Sequence, residues 1–390
     1  MQERRDFTAY SLQPTAYLRT SGMDRPLAVI FLFLSLWGIL MVFSASGVTA
    51  MREHQPHLSP FEKQGVSLLI AAIGFWIAYK IDYQRLSDCV PYLALGIVLS
   101  LISVLLWGQT IGGAKRWLPI GTSSIQPSEF AKLFVVIYLS HYTARKREVL
   151  HLFRKGLMPA VSVVGTIIVL VLAERDFGAG VILFFIAASL LFFSEVPRRH
   201  LVGLLLVVVP LLAAWMVSAP YRMERLKTYL EGMGDGKLNG NLSFQIRQSY
   251  IAMGSGGFFG VGLGWGQQAH DFLPEPQTDF IYAIIGEEFG FLGTVTLLLL
   301  FLFLLWRGFF IGRLLSDPYA QMLAIGLTLM IVLPAMINMG VVTGLFPTKG
   351  LSLPFISYGG SSLLANSLAA GLLMNLARDG MPLNRNGGIG

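Results

Sequence analysis

Long apolar runs alternate with short polar connections along the chain, and few charges interrupt the runs. About 20 consecutive apolar residues suffice for a helix to cross the hydrocarbon core of a bilayer. The pattern therefore predicts an all-α, polytopic membrane protein with about ten transmembrane helices. We expect these spans at 27–47, 64–80, 90–107, 128–143, 157–173, 178–195, 200–218, 279–306, 319–342 and 361–377.

The spans form one membrane domain between two polar tails. The N-terminal tail is 1–26, the membrane domain 27–377 and the C-terminal tail 378–390. The connection between the seventh and eighth spans, 219–278, is much longer than the others, and long loops are generally functional or disordered. Because it contains aromatic residues and several Gly turns, we expect it to be folded.

Composition and charge agree with a membrane protein. The chain is 54% hydrophobic and 13% charged, whereas soluble domains carry about 25% charged residues. Its net charge of +7 could indicate nucleic-acid binding in a soluble protein. Here, however, 17 of the 29 Lys and Arg residues lie on the side of both predicted termini. Such an excess marks the cytoplasmic side, so we expect cytoplasmic termini and no nucleic-acid partner.

The densest polar stretch on the outer side leads into the eighth span. A carboxylate there costs free energy unless it is paired or faces a wet cavity, so Asp279 is a functional candidate. Alternatively, Thr278 or Asp279 caps the helix. Glu275 lies four residues earlier, and two nearby carboxylates can shift each other's pKa in a way that suits a general base. Deeper in the span, we expect Glu287 and Glu288 to pair with a cation.

A second polar cluster lies between the third and fourth spans. Glu129 and Lys132 are spaced i,i+3, which predicts a structural ion pair on one helix face. Ser128 is expected at the N-cap or in the first turn of the fourth span. Arg116 stands beside Trp117, where it could hold a phosphate bidentately or anchor the chain at the membrane interface.

Three further stretches have open interpretations. Residues 347–362 are rich in Pro, Gly and Ser, and irregular backbone at membrane depth must be covered by protein or line a cavity. Its lone cation, Lys349, could snorkel to the interface or bind an anion. The glycine-rich stretch 254–266 could form an anion-binding nest or tight turns. The Glu-Arg-Asp turn at 174–176 predicts a local ion pair. Polar groups facing a bundle suit a phosphate-bearing, membrane-borne substrate or a transporter.

Short polar and glycine-rich motifs follow one another in a fixed order along the chain. They are Gln126-Pro127-Ser128-Glu129, Gln245-Ile246 with Gln248-Ser249, Ile251-Ala252 with Gly254-Ser255-Gly256-Gly257, Leu273-Pro274-Glu275, Thr278-Asp279-Phe280 and Ile356-Ser357-Tyr358-Gly359-Gly360-Ser361-Ser362. In the order of these motifs the chain resembles the SEDS family of polytopic cell-wall glycosyltransferases, and the resemblance covers nearly the whole chain. Three stretches, 220–225, 284–288 and 347–350, look more like the division branch than the elongation branch.

The resemblance implies septal peptidoglycan synthesis at the outer face of the bacterial cytoplasmic membrane. Lipid II would be polymerised into β-1,4-linked glycan by an inverting displacement, with Asp279 as general base. Arg116, Lys349 and Glu275 match positions that bind substrate or pyrophosphate. A divalent cation, Mg or Mn, is an implied cofactor, and a nucleotide is not. The residues with implied supporting roles are Gln126, Ser128, Glu129, Lys132, Thr278, Glu288 and Ser357.

The implied partners are the nascent glycan strand, a class B penicillin-binding protein that cross-links it, and other division proteins. Two positions depart from the family pattern: Gln277 replaces the usual His, and Ala269 stands where Lys often occurs. The amide of Gln277 cannot serve as an acid or a base. The alternatives are a lipid II flippase, an elongation-type polymerase and a non-catalytic scaffold of the division machinery.

Overall fold

The computed structural model describes residues 23–52, 60–111, 113–121, 123–217, 223–224, 227, 240–267, 277–347 and 350–380. This part of the chain is mainly helical. The helices are α1 (Arg25–Arg52), α2 (Pro60–Lys80), α3 (Tyr83–Trp107), α4 (Pro127–Arg145), α5 (Met158–Ala173), α6 (Phe177–Phe193), α7 (Arg198–Val217), α8 (Gly240–Ser255), α9 (Ile281–Leu314), α10 (Pro318–Val342) and α11 (Gly360–Gly380).

The predicted spans coincide with all of these helices except α8. Within the described residues, eight helical segments are long and apolar enough to cross a membrane, one of them α5 together with the π-helical turn Phe153–Leu157 that precedes it; α4 and the 17-residue α6 fall outside those limits. The exact number of spans therefore stays a prediction. Two boundaries differ by about two turns. Helix α3 begins at Tyr83 because the Asp82 side chain caps it, and Pro91 is accommodated inside. Helix α9 continues to Leu314.

Helices α10 and α11 form the centre of the bundle. Most of their length is buried, and α10 packs against α4, α6, α9 and α11. Helices α2 and α3 are peripheral and expose many large apolar side chains, and α7 contacts mainly α6. Helices that are apolar all round are typical of membrane spans, because their outer faces meet lipid. In the predicted long connection, α8 packs against α9.

A small antiparallel sheet, which the sequence pattern did not predict, connects α3 to α4. Its strands are β1 (Gln109–Ile111), β2 (Ala114–Ile120) and β3 (Ser123–Ile125), in that order. The Lys115 Nζ on β2 donates to the carbonyls of Leu105 and Leu106 at 2.7 and 3.0 Å. These carbonyls end α3 and lack partners inside the helix, so Lys115 joins the sheet to the bundle.

Contacts at one end of the bundle join segments that the charge pattern places on a single side. Arg307 pairs with Asp24 at 2.9 Å, and Asn375 Nδ2 donates to the carbonyl of Tyr79 at 2.6 Å. Arg147 and Glu195 form an exposed ion pair between the α4–α5 and α6–α7 connections. The sheet and the segment before α11 connect the opposite helix ends, where the candidate site lies.

Candidate functional site

Asp279 lies immediately before α9, but neither it nor Thr278 caps that helix. The N-cap residue is Phe280, so the capping alternative is wrong. The Asp279 carboxylate instead faces Gly350: a Cβ added at Gly350 would lie 2.8 Å from Asp279 Oδ2. A side chain at position 350 would therefore displace the carboxylate, and glycine permits this close approach.

The segment 350–359, which we call the clamp segment, holds the backbone around Asp279. The Tyr358 amide donates to the carbonyl of Gln277 at 2.8 Å. The Ser357 hydroxyl donates to the carbonyl of Thr278 and accepts from the Leu353 amide. These bonds fix the turn that carries Asp279, and they give Ser357 and Thr278 positioning contacts rather than reactive ones.

Asn338 on α10 joins Asp279 directly to the clamp segment. Its Nδ2 donates to the carbonyl of Asp279 at 2.9 Å and to that of Leu351 at 2.6 Å. The side chain is almost fully buried. Sequence reasoning missed Asn338, although an amide inside the apolar span 319–342 was a usable signal because polar groups at membrane depth are costly.

The clamp segment is covered by protein on its other sides, as its irregular backbone requires. Gln64 on α2 donates to the carbonyl of Ser357 at 3.4 Å and accepts from the Gly359 amide at 3.3 Å. Gly38 on α1 has no side chain and so allows the carbonyl of Phe355 to pack against it. Phe355 has a φ of 67°, a left-handed conformation that these contacts hold in place.

Asp176 is the centre of a second polar cluster, at the start of α6. Its Oδ1 accepts from the Ala179 amide at 3.0 Å and caps the helix. Its Oδ2 accepts from Gln126 Nε2 at 3.0 Å and from the Ser128 hydroxyl at 3.3 Å. Gln126 is the N-cap residue of α4 and Ser128 lies in its first turn. The backbone amide of Gln126 also donates to Ser361 Oγ at 3.0 Å, which links this cluster to α11.

Arg116 extends from β2 toward Asp176. Its Nη1 lies 4.0 Å from Asp176 Oδ1, too far for a hydrogen bond, and 28% of the side chain is exposed. Its Nε is buried and has no hydrogen-bond partner among the described residues. The guanidinium therefore has N–H groups that can donate hydrogen bonds to an anion.

The expected ion pair within residues 174–176 is wrong. Arg175 is exposed and has a φ of 63°, while the two acids turn inward, Asp176 toward Arg116 and Glu174 into the protein. Glu174 is fully buried, and neither carboxyl oxygen has a hydrogen-bond partner in the described part of the chain. Burial, and to a smaller extent the charge of Asp176, raise the pKa of Glu174 to about 8 against the lowering effect of Arg116.

The two polar clusters meet at Gly350. A Cβ added at Gly178, two residues after Asp176, would lie 2.9 Å from Leu351 Cδ2 and 3.5 Å from the carbonyl of Gly350. Gly350 therefore lies between the Asp279 carboxylate and the start of α6. Two other predicted site residues, Lys349 and Glu275, lie outside the described residues, as do Ala269 and most of 219–239.

The predicted pair on α4 is confirmed. Lys132 Nζ lies 2.8 Å from both carboxyl oxygens of Glu129, and both side chains are buried. A buried charge is costly unless it is paired, and this pair neutralises itself within a single helix turn. Its contacts support a structural contribution.

Glu287 and Glu288 on α9 accept hydrogen bonds from backbone amides that precede α9 in the chain. Glu287 Oε1 accepts from the Gln267 amide at 2.7 Å. Glu288 Oε1 accepts from the Gly264 amide at 3.2 Å and from the Ser44 hydroxyl. The partners named here are backbone amides and a hydroxyl. Within the glycine-rich stretch 254–266, the amide of Gly264 thus binds a carboxylate of the same chain.

The glycine-rich stretch also supports a kink in α9 at Gly290, which has a φ of 65°. The kink frees backbone groups on both sides. The amides of Val261 and Gly262 donate to the carbonyls of Glu287 and Glu288 at 2.9 and 3.1 Å. In return, the amides of residues 291 and 292 donate to the carbonyls of residues 257 and 258. This exchange requires close backbone contact, which explains the glycines.

The described residues contain no cluster of three or more His, Cys, Asp or Glu side chains that could hold a metal ion. Asp176 is instead bound by the Ala179 amide, Gln126 Nε2 and the Ser128 hydroxyl. We therefore assign no ligands to the implied divalent cation and derive no step through it.

Comparisons with known proteins cover nearly the whole chain. The FtsW, RodA and SpoVE family model, described as cell cycle protein, matches residues 25–381. A probable peptidoglycan glycosyltransferase FtsW of Geobacter sp. (strain M18) is 36% identical over 361 residues, which cover 92% of this chain and 98% of the relative. The stage V sporulation protein E of Bacillus subtilis (strain 168) is 38% identical over 362 residues, with 92% and 98% coverage.

Solved structures show the same fold. A chain from work on the structural coordination of polymerization and crosslinking by a peptidoglycan synthase complex aligns with a TM-score of 0.74 and 26% identity. It covers 92% of this chain and 99% of its own length. The rod shape determining protein RodA of Thermus thermophilus aligns with a TM-score of 0.66 and 25% identity, with 92% and 98% coverage.

Proposed function

We propose a function from one premise: the chain belongs to the FtsW/RodA/SpoVE family of cell cycle proteins. The proposed function is a peptidoglycan glycosyltransferase that polymerises lipid II into β-1,4-linked glycan strands during septal wall synthesis. The observation that carries the proposal is the arrangement at Gly350. There Asp279, an acid held through its backbone, lies beside the cluster containing Arg116, a cation with unused donors.

In the proposed reaction, Asp279 acts as general base on the acceptor. It takes the proton of the GlcNAc 4-hydroxyl as that oxygen attacks C1 of the donor MurNAc. The bond between C1 and the pyrophosphate oxygen breaks, and undecaprenyl pyrophosphate leaves with the electron pair. An α-linked donor becomes a β-linked product in one displacement, so no covalent intermediate on the protein is needed.

Arg116 is the proposed contact for the developing pyrophosphate charge. Stabilisation is strongest when donors are already oriented where charge develops. The three neutral donors on Asp176 support this role, because they occupy the carboxylate that would otherwise hold Arg116 in a bidentate pair. On the basis of the resemblance, Lys349 and Glu275 are further proposed substrate contacts. A divalent cation would add positive charge at the pyrophosphate.

The remaining predicted residues receive positioning or structural roles. Gln126 and Ser128 orient Asp176, and Ser357 orients the carbonyl of Thr278. We assign Glu288 to the support of the α9 kink, and the Glu129–Lys132 pair to the stability of α4. Gln277 supplies a backbone carbonyl to the clamp segment, a contact that does not depend on its side chain.

The proposed location is the bacterial cytoplasmic membrane, with both termini in the cytoplasm and the site at the outer face. The charge bias and the ion pairs at one end of the bundle support this orientation. The proposed partners are a class B penicillin-binding protein, other division proteins and the nascent glycan strand. The structural neighbour from a complex that coordinates polymerization and crosslinking supports the first of these.

Purified protein and labelled lipid II test the proposal directly. We expect the wild type to make glycan polymer with the partner present, and Asp279→Ala to make it at least about 10²-fold more slowly while remaining folded. Normal polymerisation by Asp279→Ala would overturn the mechanism. Head-group translocation in liposomes without polymer would support the flippase instead. For the division assignment, uniform or side-wall placement of a fluorescent fusion would contradict the septal role.

A further inference from the structure

Glu174 is a buried acid that the proposed reaction does not use. It ends α5 two residues before Asp176, with a side chain that is 0% exposed. Both of its carboxyl oxygens lack hydrogen-bond partners within the described part of the chain. An ionised carboxylate in such a place would carry a large desolvation cost, so the protonated form is favoured. Burial accordingly raises the pKa of Glu174 to about 8.

The guanidinium of Arg116, in contrast, has N–H donors that lack acceptors. Its Nε is buried without a partner in the described residues, and its Nη1 reaches only to 4.0 Å from Asp176. Asp176 cannot approach more closely without giving up bonds, since it already accepts from Ala179, Gln126 and Ser128. The site thus combines a cation with spare donors and an acid with two spare oxygens.

We propose that Glu174 is a positioning residue for Arg116. In its neutral form it leaves the guanidinium available to a substrate diphosphate, and in its ionised form it draws the guanidinium away. The proposal rests on the proposed function, because it takes Arg116 as the pyrophosphate contact. It adds a residue that controls this contact without touching the substrate.

The charged surroundings of Glu174 are simple. The groups that act on it are Asp176 at the start of α6 and Arg116 on β2. The interiors of α5 and α6 contain no charged residue. On α4, Glu129 and Lys132 neutralise each other, and the adjacent Arg175 is exposed. When Glu174 ionises, Arg116 is therefore the cation placed to respond.

Anion binding at Arg116 and ionisation of Glu174 oppose each other. An anion bound at Arg116 disfavours the Glu174 carboxylate, and by reciprocity the carboxylate weakens binding of the anion by the same factor. Below the pKa of Glu174, affinity for a diphosphate is independent of this group. Above it, affinity falls by up to about tenfold for each pH unit. Because Arg116 contacts the diphosphate of the bound substrate as well as the pyrophosphate that leaves, the effect is expected in KM and also in kcat.

The experiment compares wild type with Glu174→Gln, an uncharged side chain of the same shape. The KM for lipid II and the affinity for inorganic pyrophosphate are measured between pH 7 and pH 9. The wild type should lose up to about tenfold in both affinities between pH 7 and pH 9, and Glu174→Gln should keep its pH 7 values within about twofold. Pyrophosphate changes its own protonation equally for both proteins, so their difference is the readout.

Glu195→Gln is the matched control, because Glu195 is an exposed acid paired with Arg147 at the other end of the bundle. It should follow the wild-type curve. Parallel pH curves for wild type and Glu174→Gln would overturn the proposal, and so would the absence of pyrophosphate binding. If the wild type makes no polymer at any pH while the pyrophosphate difference persists, the proposed function fails and the Glu174 inference stands.

Discussion

Two pairs of acids in this molecule are similarly buried but differ in their hydrogen-bond donors. Glu287 and Glu288 on α9, and Glu174 and Asp176 between α5 and α6, are all less than 5% exposed. The α9 pair receives amides from the glycine-rich stretch and the hydroxyl of Ser44. In the other pair, Asp176 is surrounded by donors and Glu174 has none among the described residues.

The difference lies in the partners rather than in burial. Buried polar groups are normally hydrogen-bonded, so an acid supplied with backbone donors belongs to the framework. An acid without partners is kept neutral, and it stands where the protein also holds an unsatisfied arginine. Structural acids and acids that tune a site can thus be separated by following each oxygen to its donor. Burial alone does not separate them.

The largest expected effect separates chemistry from support. Asp279→Ala should lower the polymerisation rate by about 10²- to 10⁴-fold, the range for removal of a general base, and leave the melting temperature unchanged. Glu287→Ala should do the reverse, since it leaves the Gln267 amide without its acceptor and costs about 1–3 kcal/mol of stability. Both variants are measured for polymer formation and thermal unfolding in detergent. A large loss of stability in Asp279→Ala would remove the distinction.

The next effect tests the close contact between the glycine-rich stretch and α9. Gly260 has a φ of 85°, and its missing Cβ would overlap the backbone of Glu288. Gly260→Ala should therefore destabilise the protein by more than about 3 kcal/mol. Gly264 has a φ of 76° with open space around it, so Gly264→Ala carries only the conformational cost of about 1 kcal/mol. Equal unfolding temperatures for the two variants would show that the contact is unimportant.

A smaller effect concerns Glu174 and depends on pH. The unfolded chain ionises Glu174 near its ordinary pKa, whereas the folded chain keeps the proton up to about pH 8. Unfolding is therefore favoured increasingly as pH rises from about 4.5 to 8, and the penalty is constant above that. Glu174→Gln removes this penalty. The free energy of unfolding of the variant should therefore be close to that of the wild type near pH 5 and larger by a few kcal/mol at pH 8. Thermal unfolding from pH 5 to pH 9 measures this, and Glu195→Gln should track wild type.

Much of the fold was predictable because membrane spans depend on long local patterns. Ten predicted spans coincide with helices, and the i,i+3 spacing of Glu129 and Lys132 correctly predicted their ion pair. One boundary was misplaced by a local signal. Helix α3 begins at Tyr83, seven residues before the predicted start, because the Asp82 side chain caps it and Pro91 is accommodated inside.

The sequence predicted which residues form the candidate site better than it predicted their contacts. The sequence singled out Asp279 and Arg116, but not the approach of Gly350 or the two bonds from Asn338. Both depend on the packing of elements far apart in the chain. The hairpin at 174–176 suggested a local pair because adjacent opposite charges usually find each other. Instead, the backbone turn at Arg175 sends its two neighbours inward.

The smallest expected effect tests whether the reaction requires the Asp279 backbone to be fixed by Asn338. Asn338→Ala removes one amide that binds two backbone carbonyls, those of Asp279 and Leu351, so we expect a loss of about 1–2 kcal/mol in stability. Polymerisation should fall about tenfold with KM unchanged, because a misplaced base lowers the rate of the chemical step. Asn366→Ala is the matched control, since this equally buried amide bonds mainly within its own helix, to Ser362. The control should lose stability and keep its rate; if both variants lose the rate in proportion to stability, Asn338 is part of the framework alone.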